Sequence, residues 1–431
     1  MTASTSSART SPALPASAEE PDSLLITLGA PFYRWQGKLY IEDQSISGLK
    51  TWAENFTRVK ACSICHAAAP PPGWSEAEAG GITAPTFELV DLPNGYHLPT
   101  FLRSRAAVAD RLAEVMARCT YRSFAIGGWI GDWGITGAGV ARKRGLSHAV
   151  WFDRVESQIM ATRAEGSLPR KLWGRVKAAI TAHNERRALR GADLALLHGR
   201  TVFDRLSPFS RDPHIVEDID LEDVDRISPT ALAEKREGAA TGPLRLIYVG
   251  RADEMKGPLH WVAVLGALYA KGIPFEADWV GDGVLLDQMR AEADRLGIAE
   301  CITFHGFVSD RPRVLDLMRR AQIMLFCHMT DESPRNLVEA LHAATPLLGF
   351  ADPYASSLVA EQGAGRLVPR GDSVALAEAV ATLDADRATL ADMIARAGRS
   401  ARHLTRTQVY RARREIIHKS LGPPKAPIAA A

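Results

Sequence analysis

From Leu244 onward the chain alternates short apolar runs with longer stretches in which apolar residues recur at helical spacing. The runs are Leu244–Gly250, Phe275–Gly281, Ile302–Val308, Gln322–His328 and Pro346–Phe350; between them lie Gly257–Gly272, Val284–Ile298, Arg311–Ala321 and Pro334–Ala344. A strand that is apolar throughout is buried on both faces, so the alternation predicts a parallel sheet covered by helices on both sides. The first half repeats the pattern less regularly, with strands expected at Leu24–Ala30, Arg58–Cys65, Phe87–Leu92, Ser123–Gly128, Ala149–Asp153 and Leu194–His198.

The expected fold class is therefore α/β, with two Rossmann-like, doubly wound parallel-sheet domains facing a cleft at the carboxyl ends of their strands. A length of 431 residues suits two domains of about 200 each. The expected boundaries are a disordered tail at 1–21, an N-terminal domain at 22–216, a polar connection at 217–241, a C-terminal domain at 242–395, a terminal helix at 396–421 that can pack back on the N-terminal domain, and a tail at 422–431. Hydrophobic residues make up 46% and charged residues 24% of the chain, a globular composition. A net charge of +2 is too small to argue for nucleic acid. No apolar run is long enough to span a membrane, and the first residues lack the apolar core of a signal peptide, so a cytoplasmic protein with mostly reduced cysteines is expected. Arg399, Arg402, Arg406, Arg411, Arg413 and Arg414 give the terminal helix a basic character. A solvated face is the ordinary reading, and peripheral contact with the inner face of a membrane is the minority one.

Candidate chemistry clusters at the predicted strand ends. Gly250 and Arg251 follow the first strand of the second half, and Lys256 and Gly257 open the next helix. Two cations beside a helix N-terminus suit a diphosphate, because the dipole and the side chains favour the same anion; exposed surface cations are the plain alternative. The segment Thr330–Leu341 follows another strand. Ser333 is expected as its N-cap, with Pro334 at the first helical position. Leu337, Val338 and Leu341 then form the buried stripe, which leaves Glu339 on another face, toward the cleft. Carboxylates suit sugar and ribose hydroxyls as multiple acceptors, although Asp331 and Glu332 could equally serve the helix start.

The order Gly250-Arg251, Lys256-Gly257, Gly281-Asp282-Gly283, His305-Gly306-Phe307, Glu332 to Glu339-Ala340-Leu341, Pro346, then Gly363-Ala364-Gly365 and Asp372 resembles the retaining GT-B glycosyltransferases of family 4. The resemblance runs from Gly250 to Asp372. It implies that the second domain holds a nucleotide-sugar donor and the first an acceptor, with no metal and no cofactor. It further implies that Gly250, Arg251, Lys256, Gly281, Asp331, Glu332, Ser333, Asn336 and Glu339 bind the donor, and that Arg251 and Lys256 stabilise the departing diphosphate. Glu339 would take the ribose hydroxyls; Asp331 or Glu332 would meet the sugar. The family's acidic pair usually has seven residues between its members. Asp331 and Glu339 have seven and Glu332 and Glu339 six, and Glu332 is the slightly favoured of the two. In the first domain the family often has a histidine where this chain has Asp153, which could replace it or form an ion pair with Arg154 or another cation. Gly29 ends the first strand, and a loop with Phe32, Tyr33, Arg34 and Trp35 leads to Gly37 and Lys38, placed by the resemblance on the acceptor side.

Cys62-Ser63-Ile64-Cys65-His66 spells a haem-attachment pattern, but it falls in a predicted buried strand without further ligands, so two small buried hydrophobes are expected. Asp282 between two glycines is read as a turn near the nucleotide base. Trp129, Asp132 and Trp133 suit an acceptor wall or ordinary loop packing. The expected function is a metal-independent retaining glycosyltransferase of hexosyl type. It would move sugar from a UDP- or GDP-sugar to a glycan or lipid-linked acceptor in cell-envelope or exopolysaccharide synthesis. A nucleotide-sugar 2-epimerase and an inactive sugar-nucleotide-binding subunit are its rivals.

Overall fold

The apolar runs of the second half form the strands that their pattern predicts. In the computed structural model, which describes residues 20–162 and 168–422, they lie in one sheet in the order Ile302–Gly306, Phe275–Val280, Leu244–Val249, Ile323–Phe326, Leu347–Phe350, Gly365–Val368. Every pairing along this sheet is parallel. Gly365–Val368, half-buried along its length, is a sixth strand absent from the expected set; four residues opened by glycine give too short an apolar run to register. The helices Pro258–Ala270, Leu286–Arg295, Arg311–Arg320 and Arg335–His342 occupy the intervening stretches. Fully buried Tyr248, Trp261 and Trp279 anchor the core, with ring centroids 4.4 Å apart for Tyr248–Trp279 and 5.3 Å for Trp261–Trp279.

The other sheet places Pro213–Val216, Leu194–His198, Ala149–Phe152, Cys119–Ala125, Glu20–Thr27 and Arg58–His66 side by side, with Phe87–Leu92 also paired to Arg58–His66. The first strand begins at Glu20, inside the expected tail. Lys60 is buried, and its ammonium needs a carboxylate: Glu20 and Glu88 each reach it at 3.1 Å. The rest of that tail, and residues 423–431 of the other, lie outside the described residues. The loop expected after Gly29 is a β-hairpin. Phe32–Trp35 pairs antiparallel with Lys38–Glu42, which pairs in turn with Trp74–Glu76. Gln36 (φ 49°) and Gly37 (φ 76°) both adopt the left-handed region, as a two-residue hairpin turn of this hand requires.

Two units compose the chain: residues up to 197 with 206–214 and those from 413 onward, and residues 198–205 with 215–412. Residues 217–241, read from the sequence as a connection, thus belong to the second unit. They contain the helix Pro229–Gly238, whose Lys235 donates to the Ala343 carbonyl (2.9 Å), the Thr345 hydroxyl (2.7 Å) and the Met318 carbonyl (3.3 Å). The terminal helix Arg406–Leu421 is less solvated than its arginines suggest. Arg406 bonds Asp220 at 2.9 Å and Glu222 at 2.8 Å. Arg413 is buried, its planar guanidinium stacked over Trp151 at 4.4 Å. Arg399, Arg402 and Arg411 do face solvent. No described helix is long and apolar enough to cross a membrane.

Candidate active site in the second unit

Strand Leu244–Val249 delivers Gly250 and Arg251 at its carboxyl end. Arg251 is 72% exposed, 3.5 Å from Asp253. A single 3-10 turn, Glu254–Lys256, then leads to Gly257 at φ 62°, the cap of helix Pro258–Ala270. A Cβ on Gly257 would lie 2.0 Å from the Cys327 carbonyl oxygen, so only glycine lets this turn close against the end of the neighbouring strand. Gly281 makes a second close approach, 2.0 Å from its would-be Cβ to the Gly250 carbonyl oxygen, and forms an isolated bridge with Gly306. Four strand ends are thereby drawn together. The two cations occupy different stations: Arg251 is open, whereas Lys256 is buried, with its Nζ 2.5 Å from Glu332 Oε2.

Helix Arg335–His342 starts later than the sequence suggests. Pro334 is extended (φ −77°, ψ 127°) and is itself the cap, so Ser333 does not cap the helix. The Ser333 hydroxyl instead lies against Gly199, whose added Cβ would meet it at 2.0 Å. Asp331 pairs with Arg370, Glu332 with Lys256, and Arg335 with Asp218. Asn336 donates from Nδ2 to the Val249 carbonyl, tying this segment to the first strand. Leu337, Val338 and Leu341 are buried as their spacing predicts. Glu339 is mostly enclosed, and its Oε1 meets Arg311 at 3.1 Å. Burial holds its carboxyl above the usual range, while the Arg311 and Arg335 charges oppose that shift.

Thr330 Oγ1, Glu332 Oε1, Ser333 Oγ, Asn336 Oδ1 and Asp253 Oδ1 are buried without a hydrogen-bond partner among the described residues. An unsatisfied buried polar group costs about 1–3 kcal/mol. Such a row beside Lys256 suits a ligand rich in hydroxyl and phosphate groups. Arg311 and Arg370, the partners of Glu339 and Asp331, were not singled out from the sequence. They come from remote segments, and no spacing rule connects them to their carboxylates.

The first-unit candidates are not drawn into a comparable cluster. Asp153 is exposed at the end of strand Ala149–Phe152, and Arg154 bonds Glu156 at 2.5 Å rather than Asp153. Gly37 is in the hairpin turn, and Lys38 pairs with Glu76 at 2.7 Å. Asp132 caps helix Trp133–Lys143 and accepts the amides of Gly127 (2.6 Å), Gly128 (3.0 Å) and Gly134 (2.8 Å). Burial pushes its carboxyl up to about 6 against those bonds. Trp133 is buried and donates to the Pro93 carbonyl at 2.7 Å, so Asp132 and Trp133 serve loop packing.

Cys62 is buried and Cys65 half-buried in the predicted strand, and both thiols are free. Burial pushes the Cys65 thiol up to about 11 and Cys62 higher still, so neither is a thiolate at neutral pH. Cys62→Ala with Cys65→Val is expected to leave folding and visible absorption unchanged. A haem band in the parent that vanished in this variant would contradict the assignment. Among the described residues, no group of three or more His, Cys, Asp or Glu is placed to hold a metal.

Residues 231–400, all within the second unit, match the family described as glycosyl transferases group 1. A 2-deoxystreptamine N-acetyl-D-glucosaminyltransferase of Streptomyces fradiae is 29% identical over 250 residues, a match covering 53% of this chain and 58% of that enzyme. The chain thus spans under two thirds of that relative's length. In fold it is similar to HepE of Anabaena, solved with UDP (TM-score 0.64, 15% identity, 92% of this chain and 100% of that one). It is also similar to WaaG, a glycosyltransferase involved in lipopolysaccharide biosynthesis (TM-score 0.61, 15% identity, 91% and 99%). The second unit thus carries a region that matches the glycosyl transferases group 1, and the fold is similar to that of HepE and WaaG.

Proposed function

We propose that this protein is a retaining glycosyltransferase that moves a sugar from a nucleotide-sugar to a hydroxyl of a glycan or lipid-linked acceptor, with no metal and no cofactor. The observation that carries the reading is the Lys256–Glu332 pair beside a row of unsatisfied buried polar atoms at the joined strand ends. In this reading exposed Arg251 and enclosed Lys256 receive the diphosphate and stabilise its charge as the sugar leaves. Glu339 takes the ribose hydroxyls and keeps Arg311 on its other oxygen. Glu332, already in contact with Lys256, meets the sugar, and Asp331 stays with Arg370. A carboxylate that touches the phosphate-binding lysine can fix the sugar relative to its leaving group, so positioning contributes alongside electrostatics.

UDP in the HepE structure favours a UDP-sugar over a GDP-sugar as the donor to try first. The Streptomyces fradiae enzyme makes N-acetylglucosamine the first sugar to test and an aminocyclitol a rival to a lipid-linked acceptor. On the first unit, Asp153 and the turn at Gly37 and Lys38 are the residues to test on the acceptor side. We place the protein in the cytoplasm, with membrane-face association open to test.

Release of UDP from UDP-sugars, measured with and without acceptor in the presence of EDTA, tests the whole reading. Release that requires acceptor and survives EDTA is expected. Conversion of the donor into its epimer without net UDP release favours the 2-epimerase, and neither release nor conversion under any condition favours a binding subunit. Loss of activity on chelation, restored by Mn²⁺, overturns the metal-independent mechanism.

A further inference from the structure

In the first unit, three segments that precede strands carry arginines into one cavity. Helix Leu168–Gly191 ends just before strand Leu194–His198 and supplies His183, Arg186, Arg187 and Arg190. Helix Trp133–Lys143 precedes strand Ala149–Phe152 and supplies Arg142; Arg211 lies just before strand Pro213–Val216. Ala149–Phe152 and Leu194–His198 are parallel, so the cavity sits at the amino edge of this sheet. Ligands of doubly wound sheets ordinarily bind at the opposite edge.

The cavity has a volume of about 530 Å³, and among the described residues no carboxylate lines it. Elsewhere arginines find acids: Arg118 holds Glu88 at 2.6 Å and Arg295 holds Glu292 at 2.6 Å. Among the described residues, none of the five cavity arginines forms an ion pair with a carboxylate. Arg186 and Arg190 are instead fixed over the Phe209 ring, at 4.9 and 5.6 Å. With a whole-chain charge of only +2, this is a local concentration and not a generally basic surface. Guanidinium groups crowded into one concavity repel one another, and a multiply charged anion relieves that repulsion. Their planar forks match phosphate oxygens in pairs. A second cavity, of about 520 Å³, shares Arg142 and Arg187 and has apolar walls from Phe101, Ala109 and Val140. It offers room for an organic body attached to the anion.

We infer that this paired cavity is a binding site for a phosphate group carried on an organic body, distinct from the nucleotide-sugar site of the second unit. The phosphate rests among Arg142, Arg187 and Arg211, and the organic part extends along Phe101 and Val140. A soluble phosphorylated metabolite and a phospholipid headgroup share this chemistry.

Calorimetry at low salt with inorganic pyrophosphate tests the soluble source. Cosedimentation with phosphatidylglycerol vesicles, compared with phosphatidylcholine vesicles, tests the lipid source. Arg187→Glu with Arg211→Glu changes two exposed side chains and leaves the Phe209 stack intact. This variant should weaken one of the two interactions at least tenfold. Lys256→Ala, which disables the second-unit site, should leave it unchanged. So should Arg170→Glu with Arg175→Glu, on exposed positions of the same helix outside the cavity. Pyrophosphate binding without sedimentation assigns a soluble ligand, and sedimentation lost in the cavity variant assigns a headgroup. No interaction with either probe overturns the site. So does a loss confined to Lys256→Ala, or an equal loss in the Arg170/Arg175 variant, which would show diffuse charge alone.

Discussion

Lys256→Ala should lower turnover with the true donor by about a hundredfold or more, the usual cost of removing one donor to a charge that develops in the transition state. The structure adds a second expectation. Lys256 is buried and bonded to Glu332, whose other oxygen already lacks a partner. Alanine leaves that carboxylate without its cation, and breaking a buried pair from one side costs about 3–5 kcal/mol. Lys256→Ala should therefore melt earlier as well. Lys256→Met combined with Glu332→Gln should recover much of the stability but none of the turnover. Arg251→Ala serves as the contrast. Arg251 is open to solvent, so its loss should reduce turnover similarly without moving the melting temperature. Steady-state kinetics and thermal melts on the four proteins decide the matter; near-native turnover in both single variants would remove the diphosphate assignment.

Glu339→Gln should weaken binding of free UDP by about one to two orders of magnitude, because a hydrogen bond to a charged group is worth roughly 1.5–3 kcal/mol. Oε1 is engaged by Arg311, which leaves Oε2 for the ribose. The full donor should lose the same factor, since the contact does not involve the sugar. Lowering the pH should act in the same direction. Burial raises this carboxyl above the ordinary glutamate range, so its charge, and the affinity that depends on it, is lost earlier on acidification than for an exposed glutamate. Glu332→Gln should spare nucleotide binding and harm transfer. Calorimetry with nucleotide alone separates the two. Equal losses, or none for Glu339→Gln, would mean the acidic pair has been misassigned.

The second unit was legible because its strands are apolar on both faces, and a period-free run of that length has few other homes. The hairpin at Phe32–Glu42 was harder to see. Its aromatics around Gln36 and Gly37 carry a two-residue turn signal, but the acceptor-side loop that the resemblance implied competed with it. Ser333 was misplaced because a Ser-Pro pair fits a cap and first position equally well as a cap displaced by one residue; the extended Pro334 decides between them. The carboxylates of the site were legible as residue types in order, two ahead of a helix and one on it. Their partners Arg311 and Arg370 were not, since an ion pair between distant segments leaves no period in the chain. The same holds for the arginine cavity, whose members come from three separate segments.

Lys235 sets a practical limit on how the chain can be divided. Its ammonium serves two carbonyls and a hydroxyl of the second unit, and Asp218, Asp220 and Glu222 neutralise Arg335, Arg311 and Arg406 from the same stretch. A fragment intended to carry the donor-binding half alone therefore has to begin by residue 215. One cut at 242, where the first apolar run invites the cut, would discard a lysine plug and three counter-charges together, and its poor expression would say nothing about the enzyme.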